Sequence, residues 1–222
     1  MRKTFILVLI LLCFTTAKSQ CIDRYGLRIG AGLSNQDWEY KNNQFIGLSG
    51  WNDNLLGFIG QFYAEKDVGN YWSFRSAIGY IQKGFIGDIT LATPDDNILL
   101  DKRYKLFVHD LFMDLTLKIM PFKGTIRPFL SAGLRGDYLL DIRSKILVLN
   151  NKLEPGLDDE FNKFSMGAIL GVGMMYGESF IFELEYNPAI TKAYESDKLA
   201  VTDRCFCLTI GLNINSFLHR KG

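Results

Sequence analysis

The chain has 222 residues, 25 basic against 24 acidic, and a formal net charge of +1. That balance carries no basic stripe of the kind nucleic-acid binding needs, and argues against partners of that class. Gly is plentiful at 21, Pro scarce at 5, and Phe and Tyr contribute 17 and 10, which suits aromatic strands joined by turns and poorly suits helices.

The chain opens on MRKTFILVLILLCFTTAKSQ, with Arg2 and Lys3, an apolar run from Phe5 to Phe14, and then small residues. Ala17 and Ser19 stand at the minus-three and minus-one places of a signal-peptidase site, so residues 1–19 are expected to be a signal peptide cleaved near Ser19. About ten apolar residues fall short of the roughly 20 that a membrane-spanning helix needs. Lys18, Ser19 and Gln20 before Cys21 do not form a lipobox, so no lipid anchor is expected there. The expected mature domain, 20–222, loses Arg2, Lys3 and Lys18 and keeps 22 basic residues against 24 acidic ones, a charge of −2. Its cysteines are Cys21, Cys205 and Cys207. The last two share one face of a strand, which disfavours a bridge between them. No C-x-x-C or histidine cluster accompanies them, so they read as small interior residues, and no metal or cofactor is expected.

Eight stretches alternate with period two, the pattern of half-buried strands. The first, DRYGLRIGAGLS, sets Leu27, Ile29, Ala31 and Leu33 against Arg28, Gly30 and Gly32. LLGFIGQFYAE and YWSFRSAIGYIQKGF follow as the second and third. The fourth, FVHDLFMDLTLKIMPF, buries the question of the fold in a few letters: Asp110, Asp114 and Lys118 recur four apart in an oily run. A helix would stack them on one face, but would leave Phe112, Leu115, Leu117 and Ile119 on no common stripe. A strand puts all three charges on one face and Leu111, Met113, Leu115 and Leu117 on the other. RPFLSAGLRGDYLL, FSMGAILGVGMMYG, SFIFELEYN and CFCLTIGLNINSF complete the series, the last setting Phe206, Leu208, Ile210, Leu212 and Ile214 against Cys207, Thr209, Gly211, Asn213 and Asn215.

The connections alternate too. Long ones, including NQDWEYKNNQFIGLSGWNDN and RSKILVLNNKLEPGLDDEFNK, follow the odd-numbered strands, and tight ones, KDVGN, FKGTI and GES, follow the second, fourth and sixth. Outer-membrane barrels have long external loops and short periplasmic turns. The predicted fold is therefore all-β, a closed eight-stranded antiparallel up-and-down transmembrane β-barrel in the cell outer membrane, with lipid around it. Eight strands leave an interior that side chains just fill. Arg28, Arg75, Asp110, Asp114, Lys118, Arg135, Asp137, Glu183 and Glu185 are expected to point inward as a structural lattice of ion pairs that plugs the lumen, because unpaired charge out of water costs several kcal/mol per ion. Tyr25, Trp72, Tyr80, Tyr138, Tyr176 and Tyr186, near strand ends, are expected at the headgroup level.

SFRSAIGYIQKGF, LTLKIMPF, RPFLSAGLRGDYLL, GAILGVGMMYG, FIFELEYN and the closing LTIGLNINSF, taken in order, resemble the PorT-like outer-membrane β-barrel family of the Bacteroidetes. The resemblance implies an eight-stranded barrel, and one branch of that family is tied to protein secretion.

Catalytic readings are weaker. GLRIGAGL and GAILGVGMMYG lack the G-x-G-x-x-G spacing and no helix follows, so they are not read as nucleotide-binding. Of the two histidines, His109 falls on the predicted lipid face and His219 in the terminal tail, and neither is set beside a serine as a hydrolytic triad requires. TPDDN and GLDDEF lack the ligand spacing of a calcium loop. No catalytic residue is assigned. The expected role is structural, or one of interaction through the long loops with surface proteins, or through the periplasmic end with secretion machinery. A narrow solute channel and a soluble lipocalin-like carrier are the two other readings.

Overall fold

The computed structural model describes residues 22–40, 53–92, 98–146, 161–196 and 199–218. The expected signal peptide, Cys21, the TPDDN segment, most of GLDDEF and His219 lie outside them. Nine strands are present: β1 (Arg24–Tyr40), β2 (Asp53–Val68), β3 (Trp72–Ala92), β4 (Ile98–Ile119), β5 (Ile126–Ile146), β6 (Phe164–Tyr176), β7 (Phe180–Pro188), β8 (Tyr194–Glu195) and β9 (Leu199–Asn213). Each of β1 to β6 pairs antiparallel with the next, β7 pairs with β9, and β9 returns to β1. The sheet thus closes on eight staves. The two-residue β8 only folds back on β9, through Tyr194↔Val201 and Glu195↔Ala200.

Alternation governs every stave. Around Leu115, burial along β4 switches at each residue: Asp110, Phe112, Asp114, Thr116 and Lys118 are buried, while Leu111, Met113 and Leu115 are exposed. Leu115 and Ile210 are 66% and 50% exposed, so both stand on the outside of the wall and not in a protein core. One end of the barrel is finished by tight turns. In the β6–β7 turn Gly177 takes φ 61, a left-handed backbone that a side chain resists. Inside, Gly211 is needed for space, because a Cβ there would lie 2.7 Å from the Arg28 Cγ.

Three departures from the sequence pattern appear, the first two at the opposite end and the third at the tight-turn end. The connection after the third strand is not a long loop, for β3 and β4 stay paired up to Ala92↔Ile98. The 22 residues of β4 make roughly 70 Å of strand, far more than an apolar band about 25 Å tall requires even at a tilt of about 40°. A register shift between His109 and Asp110 offsets the upper part of β5 by one residue. The third departure is at the C-terminal end. The eighth predicted strand stops at Asn213, and Ile214–Leu218 forms a short helix, α1, where Ile214 and Asn215 were expected to continue the alternation. Asn and Ser bond nearby backbone readily. Ser216 Oγ donates to the Asn213 carbonyl at 2.8 Å and Asn215 Nδ2 donates to the Asp23 carbonyl at 2.5 Å, ending the strand and tying it to the start of β1.

Candidate functional site

The candidate site is the lumen, built by the inward positions of all eight staves. The nine residues expected there are all buried, none above 5% exposed. Their arrangement is layered. Midway along the barrel Arg28 on β1 and Arg75 on β3 reach across to Glu183 and Glu185 on β7. Arg28 Nη1 lies 2.5 Å from Glu183 Oε2 and Nη2 lies 2.6 Å from Glu185 Oε1. Arg75 repeats the pattern, at 2.5 Å to Glu183 and 3.0 Å to Glu185. Two guanidiniums thus each bridge the same two carboxylates through charge-assisted hydrogen bonds, which are stronger than neutral ones. Ser131 Oγ donates to Glu183 Oε1 at 2.7 Å, and the Gln61 amide oxygen, turned toward Arg28, accepts from its Nε at 2.8 Å and Nη2 at 2.6 Å. Asp114 belongs to this level but makes no ion pair among the described residues, taking only a 3.5 Å hydrogen bond from Thr116 Oγ1.

Toward the tight-turn end, Lys118 Nζ lies 2.6 Å from Glu65 Oε2 and 4.4 Å from the centre of the Phe129 ring. Glu65 also accepts from Ser73 Oγ at 2.6 Å and from Arg24 Nη2 at 2.7 Å. An apolar plate of Tyr63, Ala77, Met120, Phe129, Met175 and Ile181 packs here beneath the arginine pair, with the Tyr63 hydroxyl donating to Asn213 Oδ1.

Above the arginine pair comes a second apolar plate, of Ile59, Ile81, Phe112, Cys205 and Cys207. The two free thiols are buried with their sulfurs 3.5 Å apart, and Asn187 Nδ2 donates to Cys207 Sγ at 3.4 Å. The upper charge cluster follows. Lys83 Nζ stands 2.7 Å from Asp110, 3.3 Å from Asp137 and 3.7 Å from Asp203, while Arg135 Nε is 3.0 Å from Asp137 Oδ1. Gln36 Nε2 holds Asp203 Oδ1 at 2.8 Å. Phe85, Leu106 and Val108 cap the stack, with Trp38 edge-on to Phe85 at 5.5 Å.

Four interior charges escape the sequence reading: Arg24, Glu65, Lys83 and Asp203. Each lies near or beyond the end of a stretch as it was bounded, and Glu65 shares its face with Leu55, Ile59 and Tyr63, which blunts the polar contrast. Parity alone could have found them, since Glu65 faces Arg75 across β2 and β3, and Lys83 is an even number of residues from Arg75. They bring the buried charges among the described residues to six basic and seven acidic, the same single excess of acid as in the smaller set.

The exterior is the inverse of the lumen. Leu, Ile, Phe, Met and Val dominate it, bounded by two aromatic rows. Tyr71, Trp72, Phe122, Tyr176 and Phe180 are exposed at the tight-turn end, and Tyr138, Phe164 and Phe206 at the other, with Tyr186 stacked on Phe206 at 4.5 Å. His109 sits in the outer row, Nδ1 bonded to the Tyr80 hydroxyl at 2.5 Å, with no serine in the pair. Among the described residues no group of three or more His, Cys, Asp or Glu is arranged to hold a metal.

A closed antiparallel sheet, apolar and aromatic-girdled outside and ion-paired inside, defines a transmembrane β-barrel of the outer-membrane class. The chain belongs to the outer membrane protein beta-barrel domain family, whose model matches residues 23–195. Solved structures similar to it include OprG of Pseudomonas aeruginosa, at 14% identity and a TM-score of 0.45, with 87% of this chain and 97% of that one covered. Ail of Yersinia pestis, solved with the heparin analogue sucrose octasulfate, is similar at 10% identity and a TM-score of 0.41, covering 86% and 98%. Neisserial surface protein A gives 11% and 0.42, covering 86% and 97%. No curated protein sequence matches the chain. The protein resides in the outer membrane with its girdle in lipid, which overturns the reading as a soluble carrier. Its short turns accordingly face the periplasm.

Proposed function

We propose that this barrel is closed to solutes and works as a non-enzymatic structural and interaction scaffold, belonging to the PorT-like branch of its family and linked through its periplasmic end to protein export. One observation carries the closed lumen: Arg28, Arg75, Glu183 and Glu185 form a continuous ionic bar from β1 and β3 to β7, with side chains no more than 3% exposed. A water-filled channel would solvate such groups, and an ion path through this level would have to part at least two buried ion pairs at a cost of several kcal/mol each. The order of motifs along the mature chain supports the PorT-like placement, and rigid staves carrying connections at both ends suit binding by those connections. Recording from purified barrels in planar bilayers tests the closed state. Wild-type protein is expected to stay electrically silent, and regular conductance steps would overturn it.

A narrow channel has one observation in its favour, the Asp114 carboxylate, which lines the lumen without an ion pair among the described residues. Cation-selective steps that disappear in Asp114→Asn would establish that reading in place of the closed one.

A further inference from the structure

The periplasmic mouth holds a basin of about 570 Å³, bordered by Trp72, Met120, Phe122, Lys123 and Arg127 among others. That volume lies in the range of small-ligand pockets, ~300–1,000 Å³. Its floor is greasy and shut. Met120 belongs to the apolar plate with Phe129, Met175 and Ile181, so a guest entering from the periplasm stops there. Its wall is basic. Arg24 is already engaged by Glu65 and Asp67. Arg127 and Lys123 are different, for neither has a carboxylate partner among the described residues. Arg127 takes the inward register of β5, two residues below Phe129, and donates Nη2 to the Gly177 carbonyl at 2.9 Å. Its Nε is buried without any acceptor. Lys123 leans over the Tyr71 ring, 5.9 Å from its centre. The Arg127 guanidinium is thus held by one backbone carbonyl and carries an N–H group without an acceptor, an under-satisfied cation beside the basin.

We propose that this basin binds a carboxylate-bearing polypeptide segment from the periplasm. The carboxylate is held by Arg127 and Lys123, and a neighbouring apolar side chain rests on Met120 at the floor. The proposal rests on the reading of the periplasmic end as the face that meets an export partner, and it names that partner's chemistry. Glu178 on the rim offsets part of the positive charge, so the basin suits one carboxylate rather than a polyanion. A peptidoglycan fragment also brings carboxylates, but its sugars offer no apolar side chain for the Met120 floor.

The test uses the full mature barrel refolded in micelles and two probes, acetyl-Leu-Glu-Phe-amide and acetyl-Leu-Gln-Phe-amide, with binding followed by calorimetry and by the methyl resonance of Met120 at the basin floor. The Glu peptide is expected to bind about tenfold or more tighter than its Gln counterpart, because a charge-assisted pair to a half-buried arginine is the stronger kind. Arg127→Gln is expected to erase that preference while leaving the Gln peptide unchanged. Should Arg127→Gln fail to fold, Lys123→Gln on the exposed turn is expected to narrow the preference, and the wild-type comparison stands alone. Equal affinity for the two peptides overturns the proposal, as does tighter binding of a disaccharide-tripeptide from peptidoglycan. The two readings fail separately: conductance steps with peptide preference intact remove only the closed lumen, whereas electrical silence without preference removes only the basin.

Discussion

Asp114 and Leu115 are adjacent in the chain and live in different solvents, one 3% exposed in the lumen and the other 66% exposed on the lipid face. The two faces are held in different ways. Outside, the wall meets acyl chains that accept any apolar side chain of moderate size. Inside, Arg28, Arg75, Lys83, Lys118 and Arg135 each face specific carboxylates, and removing one partner leaves another group unsatisfied in a low-dielectric space. The exterior therefore tolerates substitution by class, while the interior depends on identity. Glycine shows the same contrast, since Gly211 must be small to admit Arg28 whereas its outward neighbours Ile210 and Leu212 have only lipid to fill.

The largest expected effect breaks this contrast from within. Glu183→Leu leaves Arg28 and Arg75 each short of a carboxylate, and is expected to cost about 3–5 kcal/mol, read as a lowered urea midpoint for barrels refolded into vesicles. A loss below 1 kcal/mol would mean that the ionic bar is incidental to stability. The exterior is challenged next. Leu115→Arg places a charge near the middle of the apolar band and is expected to cost roughly 2–4 kcal/mol, whereas Leu115→Ile in the same assay is expected to change little. If both faces proved equally sensitive to conservative exchange, the contrast would fail. The smallest effect lies outside the membrane. The Asp67 backbone N–H donates to Asp23 Oδ2 at 2.8 Å and, with Lys66 nearby, holds the Asp23 carboxyl below its ordinary value. A depressed carboxyl stabilises above the unfolded value and loses that contribution as pH falls through the folded one. Exchange protection of the Asp67 amide is thus expected to be constant at neutral pH, to decline only below the usual carboxylate range, and to be absent throughout in Asp23→Ala.

The staves were readable because period two is enforced twice, once by lipid and once by the crowded lumen. Asp110, Asp114 and Lys118 could be assigned to the interior from β4 alone, since only one parity keeps Leu111, Met113 and Leu115 together. The boundaries were not readable to the same degree. Lys83 and Asp203 lie where strands project past the lipid band, and there no apolar outer face marks the parity. The β3–β4 ribbon and the two residues of β8 are held by pairing between strands, a relation that no single stretch records. The partners within the lumen were illegible for a related reason. Composition shows that opposite charges are nearly equal in number, but that Arg28 and Arg75 share Glu183 is set by stagger between β1, β3 and β7, around the full circumference.

That circumference is completed by the first and last staves, from Gly26↔Asn213 to Tyr40↔Leu199. Contacts so distant in sequence are the slowest kind to form. Until β9 arrives, β1 carries a naked hydrogen-bonding edge, an invitation to pair with any passing strand. The polypeptide must therefore be kept apart from its siblings through export, by escorts or by the insertion apparatus, until its tail has been delivered. Truncation near the C-terminus would leave an open, adhesive curl rather than a smaller cylinder.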